Sequence, residues 1–331
     1  MKQFGKVLSL FGPFLGLAFI YGVFLAVVPS GANFSSLYNT KTILQQSVLY
    51  GVGAIGMTLV IISAGIDLSV GSLLALGSVV TALILRRFGP TGLSAQASVG
   101  LACAAALGGV LACAFAGFLN GLMISGLRIV PFIVTLGMMQ IARGAAKGVA
   151  ENTVVTTPGS WLRELMKVEP TMDSTFSFAP AVWLMLGLMV VMFIVMRYTV
   201  FGRRVFAIGS NEDTARLCGI SVPWTRIWVY TLCGVFTGVA SVLQFGAIGV
   251  GSPTEGVAYE LDVIAAVVIG GGSFNGGQGS IVGSIIGAII IAVLRNGCPM
   301  VGWENHIQNV VIGAIIIVAV GIDQLKRARQ S

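Results

Sequence analysis

Long runs without a charged side chain dominate this sequence. Asp, Glu, Lys and Arg are absent from 7–40, 42–66, 68–85, 88–127, 129–142, 174–196, 227–254, 263–294 and 305–322, which together hold 232 of the 331 residues. About 18–20 apolar residues span a bilayer as helix, and the alternation of a transmembrane β-barrel is absent. The pattern predicts spans at 8–28, 44–64, 70–85, 99–118, 130–141, 178–196 and 227–250, two short passes within 263–294, and a last span at 308–322. The expected fold is an all-α polytopic membrane protein with about 10 transmembrane helices. The count falls to about 8 if the short or broken stretches at 60–85 and 263–294 are re-entrant.

Composition and charge add sidedness. Hydrophobic residues make up 56% of the chain and charged residues 9%, against roughly 25% charged in a soluble domain, so 1–331 reads as a single transmembrane domain. The net charge of +7 is spread between apolar runs, where it reports topology and not nucleic-acid binding. Ten passes put both termini, with Lys2, Lys6, Lys326, Arg327 and Arg329, on the side of the 197–226 loop, which carries Arg197, Arg203, Arg204, Arg216 and Arg226. The positive-inside rule makes that side cytoplasmic and turns the 143–177 segment outward. Arg86, Arg87, Arg143 and Lys147 run against the rule in this scheme. The basic start followed by an apolar stretch predicts a retained first helix in preference to a signal peptide, since no small-residue cleavage site closes it.

Two polar interruptions break the membrane pattern. The first, Gly65-Ile-Asp-Leu-Ser-Val-Gly-Ser72, sets a carboxylate between two apolar helices. Asp67 or Ser69 caps the following helix in one reading, and Asp67 lines a pathway in the other, since charge at membrane depth is costly and is kept for function. The second, Gly270-Gly-Gly-Ser-Phe-Asn-Gly-Gly-Gln-Gly-Ser280, has the glycine density of a phosphate cradle but no following Lys, so it reads as an unwound break with close helix packing. A shift of 208 residues lays Gly71-Ser72 on Gly279-Ser280 and Asp67 on Asn275, the paired-break pattern of carriers with internal repeats. In the 197–226 loop, Asn211 is a candidate N-cap for a short helix that Gly219 ends, either a solvated connector or a surface for a cytoplasmic partner.

Catalytic chemistry is thin. His306 is the only histidine and the five cysteines lack metal spacing, so no catalytic, cofactor or metal site is expected. Glu255, Glu260, Asp262 and Glu304 read as loop residues.

The string at 65–72, together with Pro131-Phe-Ile-Val-Thr-Leu-Gly137, Ala207-Ile-Gly-Ser-Asn-Glu-Asp-Thr-Ala-Arg-Leu-Cys-Gly-Ile220 and Leu261-Asp-Val-Ile-Ala-Ala-Val-Val-Ile-Gly-Gly271, resembles the bacterial ribose/xylose/arabinose-type ABC transporter permeases of the branched-chain-amino-acid-permease-like superfamily. The resemblance implies the inner-membrane subunit of a monosaccharide importer. It would be paired with a second permease copy, fed by a periplasmic sugar-binding protein and driven by a cytoplasmic tandem-domain ATPase. On this resemblance Arg203, Asn211, Glu212, Ala215, Arg216 and Gly219 form the ATPase-coupling loop, and replacing Glu212 or Arg216 should weaken ATPase association. Gly65, Asp67, Ser69, Gly71, Asn275 and Gly279 are the helix-break and pathway candidates. Ser210-Asn-Glu-Asp-Thr-Ala-Arg departs from the family's usual Gly-Asn-Pro/Glu-Ala-Ala-Arg, which leaves partner and substrate open. An ion-coupled secondary transporter, with Asp67 as its one intramembrane charge, a permease for a non-sugar solute such as a nucleoside, and a non-transporting scaffold subunit are the alternatives.

Overall fold

The computed structural model describes residues 2–29, 31, 33–90, 96–168 and 178–328, and is almost wholly helical. Its helices are α1 (Lys2–Val27), α2 (Leu37–Ile62), α3 (Val70–Phe88), α4 (Val99–Gly126), α5 (Pro131–Val149), α6 (Pro180–Tyr198), α7 (Val200–Ser210), α8 (Glu212–Leu217), α9 (Val222–Ile248), α10 (Tyr259–Ile269), α11 (Ile281–Met300) and α12 (Asn305–Ala328). The starts follow local chemistry. Ser36, Ser98 and Ser280 accept the third residue's N–H at the heads of α2, α4 and α11, and prolines open α5, α6 and α9, where a missing N–H costs nothing.

Six of these helices, α2, α3, α4, α6, α9 and α11, are long and apolar enough to cross a membrane among the described residues. The expectation of about ten spans, or eight, is not met at that level, for physical reasons. The 11 residues of α10 rise about 16 Å, half the hydrocarbon thickness, so 263–294 is not two short passes but a half-helix and part of a full one. The 19 residues of α5 are long enough but include Arg143 and Lys147. Among the described residues α1 and α12 contribute the shorter apolar stretches Gly12–Val27 and His306–Ile315. The third span, in contrast, is not short: α3 runs on to Phe88.

Burial separates an inner set from an outer one. In α2 and α11, 78% of the most apolar window is buried, against 28% in α4 and α6. Those two outer helices expose Leu107, Leu111 and Phe115, and Trp183, Val190 and Ile194, faces suited to lipid. Lipid tails are as apolar as leucine, so burial of oily surface does not drive helix pairing in a membrane, and close packing takes over. The α4–α9 contact shows it. Gly117 and Gly121 lie against the Tyr230 carbonyl and the Ile227 backbone, while Gly234 and Gly238 lie against the Cys113 carbonyl and the Val110 backbone.

At one end of the bundle Val155–Thr156 pairs antiparallel with Val250–Gly251. A 3-10 turn at Trp161–Met166 follows the first of these strands. At the other end the 197–226 segment holds α8 at the place where a short helix is expected, Glu212–Leu217, and in addition the 11-residue α7 before it. Residues 143–149 of the expected outer loop belong to α5, and 169–177 lie outside the described residues.

Candidate functional site

The first break is a buried, cross-tied link. After α2 ends at Ile62, Ala64 turns with φ +59° and the Gly65 N–H returns to the Val60 carbonyl at 2.9 Å. Asp67 is fully buried. Its Oδ1 accepts the Ser69 backbone N–H at 2.8 Å and the Ser69 hydroxyl at 2.5 Å, a local turn ahead of α3. Ser69 is the N-cap of α3 but its side chain makes no capping bond, so the cap expected from Asp67 or Ser69 is not formed. The Ser69 Oγ in turn accepts from Asn120 Nδ2 of α4 at 3.1 Å, and Thr135 of α5 donates to the Ile66 carbonyl at 3.3 Å. Among the described residues no Lys or Arg forms an ion pair with Asp67. Its burial, which costs several kcal/mol for an unpaired charge, is offset at Oδ1 by the Ser69 hydroxyl and backbone N–H, and Oδ2 has no hydrogen-bond partner among the described residues. Gly71, in the first turn of α3, faces the Gly256 carbonyl and the Glu260 carboxylate so closely that no side chain fits.

The second break is built from backbone. The Gly277 N–H donates to the Ile62 carbonyl at 2.8 Å and so satisfies one of the carbonyls left open at the end of α2. Gly209 near the end of α7 abuts the same Ile62 carbonyl and the Gly277 nitrogen, and a Cβ there would collide with both. Gly276 rests on Ala64 and the Gly209 carbonyl. The end of α2, the second break and the end of α7 therefore meet at one three-way backbone contact. Asn275 is exposed beside it, and Gly279 faces the end of the Ile62 side chain. Six site residues named from sequence thus fall in two adjoining layers: Gly65, Asp67, Ser69 and Gly71 above the junction, Asn275 and Gly279 at it.

The coupling candidates sit on the adjoining α7–α8 hairpin. Asn211 Oδ1 accepts the Thr214 N–H at 2.8 Å as the N-cap of α8. Gly219 takes φ +79°, and the Gly219 and Ile220 N–H groups return to the Arg216 and Ala215 carbonyls at 3.0 Å, closing the helix end. Ala215 is buried with Ile208 and Val222, whereas Arg203 and Arg216 are exposed. Glu212 is bound internally: Oε1 accepts from Arg216 at 2.9 Å and Arg226 at 3.3 Å, and Oε2 from Arg226 at 2.5 Å. Leu217, at the tip, is 89% exposed.

Sequence reasoning missed three features here. Leu217 carries no signal, because an exposed leucine and a core leucine are the same letter. Asn120 lies inside an apolar run, where one amide is easily passed over. Asp262 is not a loop residue: it is buried in α10 and takes both oxygens to Arg295 Nη2 at 2.9 and 2.8 Å. Arg295 also reaches Gln308 Oε1 at 3.1 Å, so the pair ties α10, α11 and α12 together. A signal existed, since Asp262 and Arg295 bracket the charge-free 263–294 stretch and a helical hairpin returns its ends to one depth.

Among the described residues, no group of three or more His, Cys, Asp and Glu is placed to hold a metal ion. The end of α2, the second break and the end of α7 are joined through backbone contacts at Ile62, Gly209, Gly276 and Gly277. Comparison with known proteins identifies the family. The chain is 37% identical to the ribose import permease protein of Escherichia coli K12 over 312 residues, 92% of each chain. It is 35% identical to the ribose import permease protein of Bacillus subtilis 168 (98% of this chain, 96% of the relative) and 33% to the galactose/methyl galactoside import permease protein of Escherichia coli K12 (95% of each). No solved structure matches the chain. The model of the branched-chain amino acid transport system / permease component family matches residues 39–320, and the chain belongs to that family: it is a multi-pass membrane permease component and not itself an enzyme.

Proposed function

We propose that this chain is the translocation subunit of an ATP-driven monosaccharide importer in the bacterial inner membrane. In this reading it works as a pair of copies, receives sugar from a periplasmic binding protein and is powered by a tandem-domain ATPase that docks on α7–α8. The relatives named for ribose and galactose import support the substrate class. The observation that carries the mechanism is the α7–α8 segment, in which the apolar Leu217 of α8 stands in the open while Gly209 and Ser210, at the end of α7, abut both helix breaks.

Ten helices enter the membrane in this proposal: the six long ones with α1, α5, α12 and the half-helix α10. Both termini and α7–α8 are then cytoplasmic, and the β-paired end faces outward. The arginines of 197–226 support that side. Transport follows from a two-state equilibrium of the bundle that ATPase docking biases through the junction.

Reconstitution tests this. Proteoliposomes holding the chain, its ATPase and its binding protein should take up labelled ribose or galactose only with ATP inside the ATPase compartment. Uptake by the chain alone, driven by a proton or sodium gradient, would contradict the proposal.

A further inference from the structure

Glu212 looks from sequence like a docking residue, yet its carboxylate is already spent within the chain. Both oxygens are engaged by Arg226 at 2.5 and 3.3 Å, and one of them also by Arg216 at 2.9 Å. Among the described residues, Glu212–Arg226 is the only side-chain hydrogen-bonded link between α8 and α9. It ties a six-residue helix, which its Asn211 and Gly219 caps and buried Ala215 already hold in place, to the second turn of a 27-residue one.

What α9 touches gives that link its consequence. Arg226, Tyr230, Cys233 and Thr237 recur at the spacing of one helix face. The Tyr230 hydroxyl lies against Gly65 of the first break, and the Cys233 backbone lies against Gly56 of α2. Over its length, about 40 Å, α9 reaches the opposite end of the bundle. There the Gly249 carbonyl accepts from Arg163 at 2.8 Å and from Thr157 at 3.4 Å, pinning the segment that follows the first strand. A single rod thus touches the docking helix, the buried Asp67 link and the far face.

We infer that Glu212 is a positioning residue, a strut that makes α8 and α9 move as one, so that ATPase motion at α8 reaches the Asp67 link and the far face through Arg226. This rests on the reading of α8 as the docking helix and assigns Glu212 and Arg216 different jobs within it: Glu212 transmits, Arg216 and Leu217 meet the partner. The strut is half-exposed, with side chains 34% and 21% accessible. Such pairs add little to stability, so its loss leaves the fold intact.

The test uses the reconstituted complex. Glu212→Gln and Arg226→Gln should each leave ATPase co-purification and permease melting unchanged. Sugar uptake per ATP hydrolysed should fall about tenfold, within the roughly 5–150-fold range of coupling between two sites. The swap Glu212→Arg with Arg226→Glu should restore most of the uptake, whereas Arg216→Gln should weaken ATPase association instead. Unchanged uptake per ATP in both single variants would overturn the strut, and so would loss of ATPase association in Glu212→Gln, which would make Glu212 a docking residue. Failure of the wild-type chain to hold the ATPase would instead overturn the docking reading beneath it.

Discussion

The two helix breaks share a pattern in sequence and differ in construction. Each runs apolar helix, polar glycine segment, apolar helix, and a 208-residue shift lays Asp67 on Asn275. In the fold Asp67 is fully buried and cross-tied to α3 and α4, while Asn275 is exposed beside the junction with α7. The following helices start at Val70 and Ile281, a spacing of 211, so the sequence match and the helix starts are three residues out of step. Side-chain hydrogen bonds cross-tie the first break, and backbone contacts of Gly276 and Gly277 with Ile62, Ala64 and Gly209 hold the second. The difference teaches that a glycine-rich gap between spans is not one device: a buried acid makes a fixed link, and bare backbone makes a seam that another segment can seat against.

Substitutions can break this comparison, and the largest effects belong to the first break. Gly71→Val pushes a branched side chain into the Gly256 carbonyl and the Glu260 carboxylate, and is expected to cost about 3 kcal/mol or more. It should abolish uptake and lower the melting temperature of the purified permease. Next comes Asp67→Ala, which strips the Ser69 N–H and hydroxyl of their acceptor and should cost about 1–3 kcal/mol. Asp67→Asn keeps an acceptor and should recover most of the melting temperature, and recovery by Asn would also count against a charge that must itself be carried through the pathway.

Smaller effects belong to the second break. Gly279→Val meets Cγ1 and Cδ1 of the Ile62 side chain and not, as at Gly71, a backbone carbonyl, and should cost about 1 kcal/mol with reduced but measurable uptake. Asn275→Ala should change melting and uptake little, within about 0.5 kcal/mol. If Asn275→Ala proved as damaging as Asp67→Ala, the two breaks would be equivalent after all, and the internal-repeat reading would regain its force.

Much of the fold was legible in the sequence because its cause is composition: charge-free runs have to be helix in a bilayer. Where those runs are bordered by charges, legibility failed. The half-length of α10 is set by the turn at 256–258, with positive φ at Gly256 and Ala258, which an apolar count does not register. Asp262 and Arg295 read as boundary charges because their pairing spans 33 residues. At the coupling site the α8 caps, Asn211 and Gly219, were readable from local rules. Arg226 was not, since an arginine at the head of a span already has a topological explanation.

The central claim is that energy enters this permease through α8. The most direct measurement is ATPase co-purification and ATP-dependent sugar uptake by Leu217→Asp, beside melting of the permease alone. With Leu217 already in the open, the account predicts unchanged melting with loss of both ATPase association and uptake. Wild-type association and uptake in that variant would contradict it.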